Sequence, residues 1–417
     1  MVNIMDFKIN GGRRLGGKIS IESAKNSVLP IMAAAILADG QTVVKNCPEI
    51  ADVVNMAKII ETCGVKTGFT GKNLIITPDN SAGLGFSQEI AKSVRTSVLM
   101  LGALSAKYGK AAIPYPGGCD IGGRPVDIHI SALKDLGANI KEENGFIICT
   151  EPVKGGKTVL PFPSVGATEN AVIAAAVADG ETVIYNAAKE PEIVDLAEFL
   201  NILGGRVYGA GTSVIRIQGV KRLSGGEFLP SSDRIEAGTY LIAAAITGGE
   251  AELKGVNAEN ISALLSKLCE NTCKFKIKND IIYIRGGRTK KAFSFSTGPY
   301  PYFPTDLQAQ SCALAAVSGG VSVIKENVFK KRFHHIAELN KMGANARLYG
   351  DTAEIHGVMR LHGAEVYAHD LRCGAALVLA GLNAEGTTTV QDISHLERGY
   401  YRMDEKLSAL GADIVRV

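Results

Sequence analysis

A repeat of about 70 residues is the feature of this chain that most constrains its fold. An apolar stretch rich in small residues ends near a glycine and is followed by a short strand-like run, with these glycines at positions 40, 109, 180, 248, 319 and 386. A second helical stretch then ends in a Leu-Gly-like stop, as at Gly137, Gly204, Gly343 and Gly411. Glycine suits these stops because the residue after a helix commonly has positive φ. The pattern predicts six copies of a unit that mixes helix and strand.

The two ends of the chain indicate how these copies group into domains. The sixth copy stops at Val417 after one strand-like run, and the segment from Phe7 onward aligns with the second strand and tail of the third and fifth copies. We therefore expect the N-terminus to complete the sixth unit. This predicts two domains of three units each, residues 25–232 and residues 1–24 with 233–417, with adjacent termini.

Composition and cysteine spacing exclude several classes of protein. The 417 residues are 46% hydrophobic and 21% charged, with a formal net charge of +3, which is typical of a soluble globular protein. No basic run alternates with aromatic residues, so nucleic acid is not an expected partner. Since there is neither a signal-peptide pattern nor an apolar run of about 18 residues, we expect a cytoplasmic protein without membrane insertion. The eight cysteines form no CxxC pair or His/Cys cluster, so we expect reduced thiols and no structural metal.

An insertion in the second copy carries the strongest local signal for function. It falls at residues 114–127, where glycines flank Cys119 on both sides and give the loop freedom to approach a ligand and to move. Arg124 and a helix predicted to begin after Pro125 both favour the thiolate form of Cys119. The alternative is a buried cysteine that acts as a small hydrophobic residue, but the flanking glycines leave little apolar packing to bury it. We predict a lid that binds anions and carries a cysteine reactive as acid or nucleophile.

Charged residues recur at one position of the repeat, the predicted N-terminal end of the first helix. They are Lys25, Arg95, Asp306 and Arg372. If equivalent helices point the same way in each domain, these ends converge on one interdomain face. Together with Arg124 and Arg398 they would form an anion site for phosphate or carboxylate. A single Lys or Arg is more commonly a solvated surface charge, and only the repetition favours function.

Six segments of the chain carry a family resemblance: residues 23–26, 116–129, 164–168, 303–310, 370–372 and 398–400. From end to end, the chain resembles the enolpyruvyl transferases and, among them, the UDP-N-acetylglucosamine 1-carboxyvinyltransferases. The resemblance implies a two-domain inverse α/β barrel, in which each domain has three repeated units with helices inside and sheets outside, closing over the substrates. It also implies transfer of the enolpyruvyl group of phosphoenolpyruvate to the 3-hydroxyl of UDP-N-acetylglucosamine, with release of phosphate and without metal or organic cofactor. That reaction starts peptidoglycan precursor synthesis, and its two small molecules are the implied partners.

The resemblance also implies roles for individual residues. Cys119 would protonate the methylene carbon of phosphoenolpyruvate and could carry a covalent adduct with it, while Asp306 would be the base for the sugar hydroxyl. The residues implied to hold phosphoenolpyruvate are Lys25, Asn26, Arg124, Arg372 and Arg398. Those implied to hold UDP-N-acetylglucosamine are Arg95, Arg124, Pro125, Val126, Asp127, Ile128, Ser164, Val165, Gly166, Asp306 and Val328. Two residues depart from the family pattern, Phe162 where a lysine can contact the nucleotide and Lys330 where an acidic residue can occur.

Two alternative functions remain open at this point. A 5-enolpyruvylshikimate-3-phosphate synthase has the same fold and transfers the same group to a different alcohol, but the cysteine insertion counts against it. A regulator that binds a UDP-sugar without turnover would also keep the fold. Its signature would be loss of Cys119, Asp306 or the basic residues, and all of these are present.

Replacing Cys119 with alanine or serine tests the assignment of a catalytic acid. We expect turnover, measured as phosphate release, to fall by about 10²–10⁴-fold, because a positioned acid typically contributes that much. Binding of UDP-N-acetylglucosamine, measured by calorimetry, should change far less. Equal losses of turnover and binding would instead identify the loop as a binding element.

Overall fold

The chain divides into two compact units that are not continuous in sequence. The structure, a computed structural model, describes residues 5–79, 83, 85–117 and 126–417. Within these ranges, unit 1 contains residues 5–22 and 232–417, and unit 2 contains residues 23–117 and 126–231. The assignment of domains to residues 25–232 and to 1–24 with 233–417 stays a prediction.

Helices and strands alternate along both units. The helices of the described ranges are α1 (Lys25–Ala35), α2 (Ala51–Glu61), α3 (Gln88–Ser93), α4 (Met100–Tyr108), α5 (Asp127–Asp135), α6 (Val165–Ala175), α7 (Pro191–Ile202), α8 (Arg234–Thr247), α9 (Ser262–Glu270), α10 (Gln308–Ala316), α11 (His334–Lys341), α12 (Leu371–Asn383), α13 (Ser394–Glu397) and α14 (Met403–Ala409). Short 3₁₀ helices span Arg95–Leu99, Ala258–Ile261 and Thr305–Leu307. The strands of unit 2 are β3 (Thr42–Val44), β4 (Val65–Thr70), β5 (Asn73–Pro78), β6 (Ala111–Pro114), β7 (Asn139–Glu143), β8 (Phe146–Glu151), β9 (Gly156–Val159), β10 (Glu181–Tyr185), β11 (Val207–Tyr208), β12 (Val214–Gln218) and β13 (Gly226–Phe228). Those of unit 1 are β1 (Phe7–Asn10), β2 (Lys18–Ser20), β14 (Glu250–Lys254), β15 (Lys274–Lys278), β16 (Ile281–Arg285), β17 (Phe295–Ser296), β18 (Val321–Lys325), β19 (Asn345–Tyr349), β20 (Thr352–His356), β21 (Glu365–Tyr367), β22 (Thr387–Gln391) and β23 (Asp413–Arg416).

The strands of the described residues form six sheets, one for each predicted copy. The strand orders are β13-β3-β5-β4, β6-β8-β7 and β11-β12-β10-β9 in unit 2, and β15-β16-β14-β2, β17-β18-β20-β19 and β21-β22-β1-β23 in unit 1. In five of these sheets, one edge strand comes from the end of another copy. This strand pairs in parallel with its neighbour. Thus β13 from the third copy joins the sheet of the first, and β2 from the N-terminus joins the sheet of the fourth. Strand exchange therefore links the three copies of unit 1 into a ring. In the described part of unit 2 it joins the second copy to the third and the third copy to the first.

Three helices occupy the centre of each unit. In unit 1, α8, α10 and α12 pack against one another, and in unit 2 α1, α4 and α6 do the same. Almost every residue of these helices is buried, whichever side it faces. Small residues such as alanine let the helices approach closely, and burial of apolar surface stabilises the unit by roughly 25 cal/mol per Å². With helices inside and sheets outside, the predicted inverse α/β architecture is confirmed.

The N-terminal strand completes the sixth sheet, as the repeat predicts. β1 lies between β22 and β23 and runs antiparallel to both, with Phe7 opposite Val390 and Arg416. Phe7 and Ile9 are buried, whereas Lys8 between them is exposed. The two ends of the described chain meet there, because the backbone N–H of Asp6 donates to the carbonyl of Val417 at 2.9 Å. A strand close to the N-terminus is thus a central part of the sheet that the C-terminal strand closes.

The helix stops follow the sequence prediction with one informative exception. The glycines of the predicted stops have positive φ, for example 95° at Gly137 and 90° at Gly411. In the fourth copy, whose Leu-Gly stop is degenerate, Thr272 has a φ of 82°. This region is unfavourable for a β-branched residue, and the Thr272 hydroxyl donates to the carbonyl of Thr289 at 2.6 Å. The repeat therefore keeps its backbone turn even where its glycine is missing.

Truncating Ile9 tests the contribution of β1 to unit 1. Ile9→Ala should lower the free energy of unfolding by about 2–5 kcal/mol, because it leaves a cavity between the sheet and the central helices. Lys8→Ala, on the exposed face of the same strand, is the matched control and should have little effect. The chain contains no tryptophan, so hydrogen exchange of the β22 and β23 amides is the appropriate measurement. Equal exchange rates in the two variants would contradict a structural role for β1.

Candidate active-site residues

The charged residues predicted to stand at helix N-termini do so in the structure. Lys25 is the first residue of α1, and Arg95 is the first residue of the 3₁₀ helix that leads into α4. Asp306 lies in the 3₁₀ turn directly before α10, and Arg372 is the second residue of α12. All four therefore project from the ends of helices whose interiors are buried. Their catalytic and binding roles stay predictions.

Asp306 is held between two arginines in unit 1. Arg332 Nη1 donates to Asp306 Oδ1 at 2.6 Å, and Arg372 Nη2 donates to Oδ2 at 2.8 Å. The side chains of Arg332 and Arg372 expose only 7% and 4% of their surface, whereas that of Asp306 exposes 23%. The carboxylate thus lies against two buried cations and remains open to solvent on one side. Arg332 was missed by the sequence analysis, and its only sequence signal is its position in a basic run after Val328.

The guanidinium groups of Arg332 and Arg372 determine whether Asp306 is ionised. Burial by itself would raise the pKa of the Asp306 carboxyl, but Arg372 and Arg332 outweigh burial and hold that pKa well below its usual range. Asp306 is therefore ionised at neutral pH and can accept a hydrogen bond from a hydroxyl. A carboxylate with so low a pKa is a weak base until one guanidinium turns to another anion.

The Tyr400 hydroxyl joins three central helices of unit 1 beside this ion pair. It accepts from Arg372 Nη1 at 3.1 Å and from Gln310 Nε2 at 3.1 Å, and it lies 2.9 Å from Thr239 Oγ1. These partners lie on α12, α10 and α8 respectively. Arg398, two residues before Tyr400, follows α13 and is carried by the same segment. Tyr400 thus ties the predicted Arg398 segment to Arg372.

Val328 is linked to Asp306 through a buried carboxylate that the sequence analysis missed. Glu326 is fully buried, and its Oε1 accepts from the backbone N–H of Val328 at 2.8 Å. Its Oε2 accepts from the Thr305 hydroxyl at 2.9 Å, and that hydroxyl accepts from Arg332 Nη1 at 3.1 Å. The structure therefore brings Val328 into one hydrogen-bond network with Asp306. No sequence motif signals Glu326, because its side-chain partners Thr297 and Thr305 lie more than 20 residues away along the chain.

In unit 2, two buried carboxylates fix the first turn of α1, which contains Lys25 and Asn26. Lys25 Nζ lies 3.3 Å from Asp52 Oδ2, with side chains only 12% and 5% exposed. The Ser27 hydroxyl donates to Asp195 Oδ2. Burial raises the pKa of Asp195 to about 6, and hydrogen bonds from serine hydroxyls oppose the rise. The predicted phosphoenolpyruvate ligands Lys25 and Asn26 thus stand on a turn that is anchored on both sides.

Residues predicted to bind the nucleotide sugar lie at the N-terminal ends of α5 and α6 in unit 2. Residues 126–128 lead into α5, and Ser164 caps the N-terminus of α6 by accepting from the backbone N–H of Ala167 at 3.4 Å. His129 follows directly in α5, and burial together with the charge of Arg95 lowers its pKa to about 4. His129 Nδ1 lies 3.2 Å from Asn170 Nδ2 in α6. His129 and Asn170 therefore connect the segments that carry the predicted ligands.

Three predicted site residues, Cys119, Arg124 and Pro125, lie outside the described residues. The other cysteines are mostly buried, and burial raises the thiol pKa of Cys47 to about 12 and those of Cys63 and Cys273 to about 11. Cys373, which the sequence analysis placed in the core, is 1% exposed. Such thiols are poor nucleophiles at neutral pH.

The described residues contain no group of three His, Cys, Asp or Glu side chains that could hold a metal ion. Within the same ranges, no helix has the length and apolar character needed to cross a membrane.

Comparison with known proteins agrees with this architecture. A family profile described as EPSP synthase (3-phosphoshikimate 1-carboxyvinyltransferase) matches residues 9–407. The chain belongs to the enolpyruvyl transferase family. This enolpyruvyl transferase is 47% identical over 413 residues to UDP-N-acetylglucosamine 1-carboxyvinyltransferase 2 of Caldanaerobacter subterraneus subsp. tengcongensis, with 99% of both chains covered. It is also 46% identical over 418 residues to UDP-N-acetylglucosamine 1-carboxyvinyltransferase 1 of Symbiobacterium thermophilum, covering 99% of this chain and 95% of that protein.

Solved structures show the same fold at much lower sequence identity. The enolpyruvyl transferase NikO from Streptomyces tendae has a TM-score of 0.89 and 22% identity, with 99% of both chains covered. The EPSP synthase from Acinetobacter baumannii has a TM-score of 0.77 and 21% identity, with both chains fully covered. These likenesses establish the fold of this enolpyruvyl transferase and say nothing of its acceptor.

Replacing Asp306 with asparagine tests the ion-pair cluster through stability. Asp306→Asn leaves two buried arginines without their counter-charge, so the free energy of unfolding at neutral pH should fall by about 3 kcal/mol. Because the pKa of Asp306 is lowered by folding, its stabilising contribution is present above the usual value of 3.8 and is lost as the pH falls through the folded-state pKa. The difference between wild type and variant, measured by denaturant unfolding, should therefore shrink only below about pH 3.8.

The exposed carboxylate of Asp280 provides the control for this experiment. Asp280→Asn should cost little stability at any pH, since surface charges contribute little. A loss in Asp306→Asn that persists unchanged into strong acid would show that the ion pairs are not its cause.

Proposed function

We propose that this enolpyruvyl transferase transfers the enolpyruvyl group of phosphoenolpyruvate to the 3-hydroxyl of UDP-N-acetylglucosamine and releases phosphate. This is the first committed step of peptidoglycan precursor synthesis. The observation that carries the proposal is the name UDP-N-acetylglucosamine 1-carboxyvinyltransferase, which belongs to relatives 43–47% identical over 98–99% of this chain. The cluster around Asp306 supports it, because the reaction needs both an anion site and a group that accepts a hydroxyl proton.

The proposed reaction is an addition followed by an elimination. The Cys119 thiol donates its proton to the methylene carbon of phosphoenolpyruvate, which makes the neighbouring carbon electrophilic. The sugar hydroxyl adds to that carbon while Asp306 accepts its proton. The resulting tetrahedral adduct then returns a proton from its new methyl group to the Cys119 thiolate and expels phosphate. The whole reaction needs only an acid and a base, and no oxidant or reductant takes part.

The arginines around Asp306 have two functions in this proposal. Arg372, with Lys25, Asn26, Arg124 and Arg398, holds the carboxylate and phosphate of phosphoenolpyruvate, since planar guanidinium groups suit such anions. When the substrate carboxylate draws a guanidinium away from Asp306, the pKa of Asp306 rises, because a neighbouring positive charge is removed. Substrate binding thus converts a weakly basic carboxylate into a stronger base where the hydroxyl arrives.

UDP-N-acetylglucosamine is the second proposed substrate. Its proposed ligands in the described residues are Arg95, Val126, Asp127, Ile128, Ser164, Val165, Gly166, Asp306 and Val328. The first turn of α6 leaves backbone N–H groups unpaired within the helix, which suits an anion. We also propose that the protein is cytoplasmic.

The alternative acceptor is shikimate 3-phosphate, which the description of the family profile favours. The relatives that are 43–47% identical to this chain are instead named for UDP-N-acetylglucosamine. The insertion that contains Cys119 is the feature of the sequence that counts against shikimate 3-phosphate.

Phosphate release from phosphoenolpyruvate, with UDP-N-acetylglucosamine or shikimate 3-phosphate as acceptor, tests the proposal directly. We expect release only with UDP-N-acetylglucosamine. Asp306→Asn should reduce its rate by about 10²–10⁴-fold, the usual contribution of a general base, and the Asp280→Asn control should retain it. Release that requires shikimate 3-phosphate would identify the alternative enzyme. No release with either acceptor, despite measurable binding of UDP-N-acetylglucosamine, would identify a non-catalytic regulator.

A further inference from the structure

Asn170 is a fully buried amide in the middle of the central helix α6. Its Oδ1 accepts from the backbone N–H of Gly102 at 2.9 Å, and its Nδ2 donates to the carbonyl of Val98 at 3.1 Å. A backbone N–H can only donate and a carbonyl can only accept, so these two partners fix which way the amide points. A Cβ atom at Gly102 would clash with Asn170 Oδ1, which explains a glycine inside α4. The contacts with Gly102 and Val98 alone fix the orientation of the Asn170 amide.

The second hydrogen of Asn170 Nδ2 determines the tautomer of His129. His129 Nδ1 lies 3.2 Å from this nitrogen. Since an amide nitrogen only donates, Nδ1 must accept, and a neutral ring then carries its hydrogen on Nε2. Burial and the charge of Arg95 lower the pKa of His129 to about 4, so the ring is neutral near pH 7. His129 therefore presents an Nε2–H donor.

The Nε2 edge of the ring faces the N-terminal turn of α6. A Cβ atom at Gly166 would lie 3.0 Å from His129 Cε1 and 3.2 Å from Nε2, so the imidazole packs against this glycine. Gly166 is the second residue of α6, after the capping residue Ser164. The backbone N–H groups of such a turn lack partners within the helix. The Nε2–H of His129 thus stands beside a set of donors directed at the same end of the helix.

We propose that Asn170 is a positioning residue for nucleotide-sugar binding. It holds His129 in the Nε2–H tautomer. Its amide also connects the 3₁₀ helix Arg95–Leu99 with α4, α5 and α6, so that hydrogen-bond donors from these segments can bind one anionic group of UDP-N-acetylglucosamine together. The identity of the ligand rests on the proposed function, whereas the tautomer does not. His129 donates through Nε2, and Asn170 acts only through His129 and the backbone.

The charged groups near His129 come from the 3₁₀ helix and from α5, α6, β7 and β9. On α6, Glu169 is buried beside Asn170, and burial together with Glu192 and Glu190 raises its pKa well above its usual range, which favours its neutral form. Lys134 and Asp135, at the far end of α5, are exposed. Arg95, on the 3₁₀ helix, is the one that acts on the pKa of His129. Asp127, on α5 itself, is exposed. Strands β7 and β9 pack against α5, and their charged residues Lys141, Glu142, Glu143 and Lys157 are also exposed. A change of charge at position 170 should therefore dominate the titration of the ring.

The first experiment measures the tautomer in the wild-type protein without ligand. Long-range ¹H–¹⁵N spectra of ¹⁵N-histidine-labelled protein distinguish Nδ1–H, Nε2–H and imidazolium rings. His129→Gln assigns the signal among the seven histidines. We expect a neutral Nε2–H ring through the neutral range. An Nδ1–H ring, or an imidazolium near pH 7, would overturn the proposal, whatever the ligand of the protein is.

Asn170→Asp is the variant that separates positioning from simple packing. A carboxylate cannot donate to Nδ1, so the neutral ring should change to the Nδ1–H tautomer, and the added negative charge should raise the pKa of His129 from its value of about 4. Above that raised pKa, Nε2 carries a lone pair instead of a hydrogen. Affinity for UDP-N-acetylglucosamine, measured by calorimetry, should then fall by about 10-fold or more, since a hydrogen bond to a charged group is lost. Below that pKa, the imidazolium again donates and part of the affinity should return.

Thr168→Val provides the matched control on the same helix. Thr168 is equally buried, and its hydroxyl donates to the Ser164 carbonyl and accepts from the Ala188 N–H, neither of which belongs to His129. This variant should keep the Nε2–H tautomer and the wild-type dependence of affinity on pH. An Nε2–H ring in Asn170→Asp, or the same dependence of affinity on pH as in the wild type, would overturn the positioning role. If Asn170→Asp does not fold, the tautomer of His129 in the wild-type protein still tests the proposal. A wild-type protein with the expected tautomer but no affinity for UDP-N-acetylglucosamine would overturn the proposed function and leave the tautomer assignment supported.

Discussion

Burial of three helices at the centre of each unit is the constraint on which the rest of the structure depends. A helix surrounded by protein has no solvent-facing side, so ionised side chains in its interior are costly unless they are paired. Small residues therefore fill the middle of these helices, and polar chemistry is displaced to their N-terminal ends. Unpaired backbone N–H groups and the helix dipole favour anions at those ends. The residues proposed for catalysis and binding stand there because the fold leaves few other places for them.

Paired charges make those buried ends stable. Arg332 and Arg372 share Asp306 in unit 1, while Lys25 meets Asp52 in unit 2. Each pairing compensates part of the desolvation that burial imposes, and it also fixes the geometry of groups that must meet an anionic substrate. In the proposed reaction, Arg372, one of the two cations that hold Asp306 ionised, is also the one that an incoming carboxylate would contact. Stability in the free protein and reactivity in the bound state are therefore coupled at this carboxylate.

Exchange of edge strands joins the copies of the linear repeat to one another. In five of the six sheets of the described residues, the tail of one copy pairs with the sheet of another. In unit 1 this requires the N-terminal segment, because β1 completes the sixth sheet and β2 joins the fourth. The ring also tolerates local conflict, as Thr272 shows by adopting a turn that its sequence does not favour. Packing of the whole unit overrides the preference of a single residue there.

The sequence by itself determined the six copies, the closure by the N-terminus and the charged helix ends, because periodicity and glycine placement act locally along the chain. That the helices lie inside and the sheets outside was implied only by the family resemblance. It also identified the family from short motifs such as residues 370–372 and 398–400. Only the tertiary structure decided which charges meet. The Arg332 contact with Asp306, the Glu326 contact with Thr305 and the tautomer of His129 each join segments that are distant in sequence, and no local pattern encodes such contacts. Hydrogen-bond partners at buried sites depend on how copies pack, which a repeat of about 70 residues leaves undetermined.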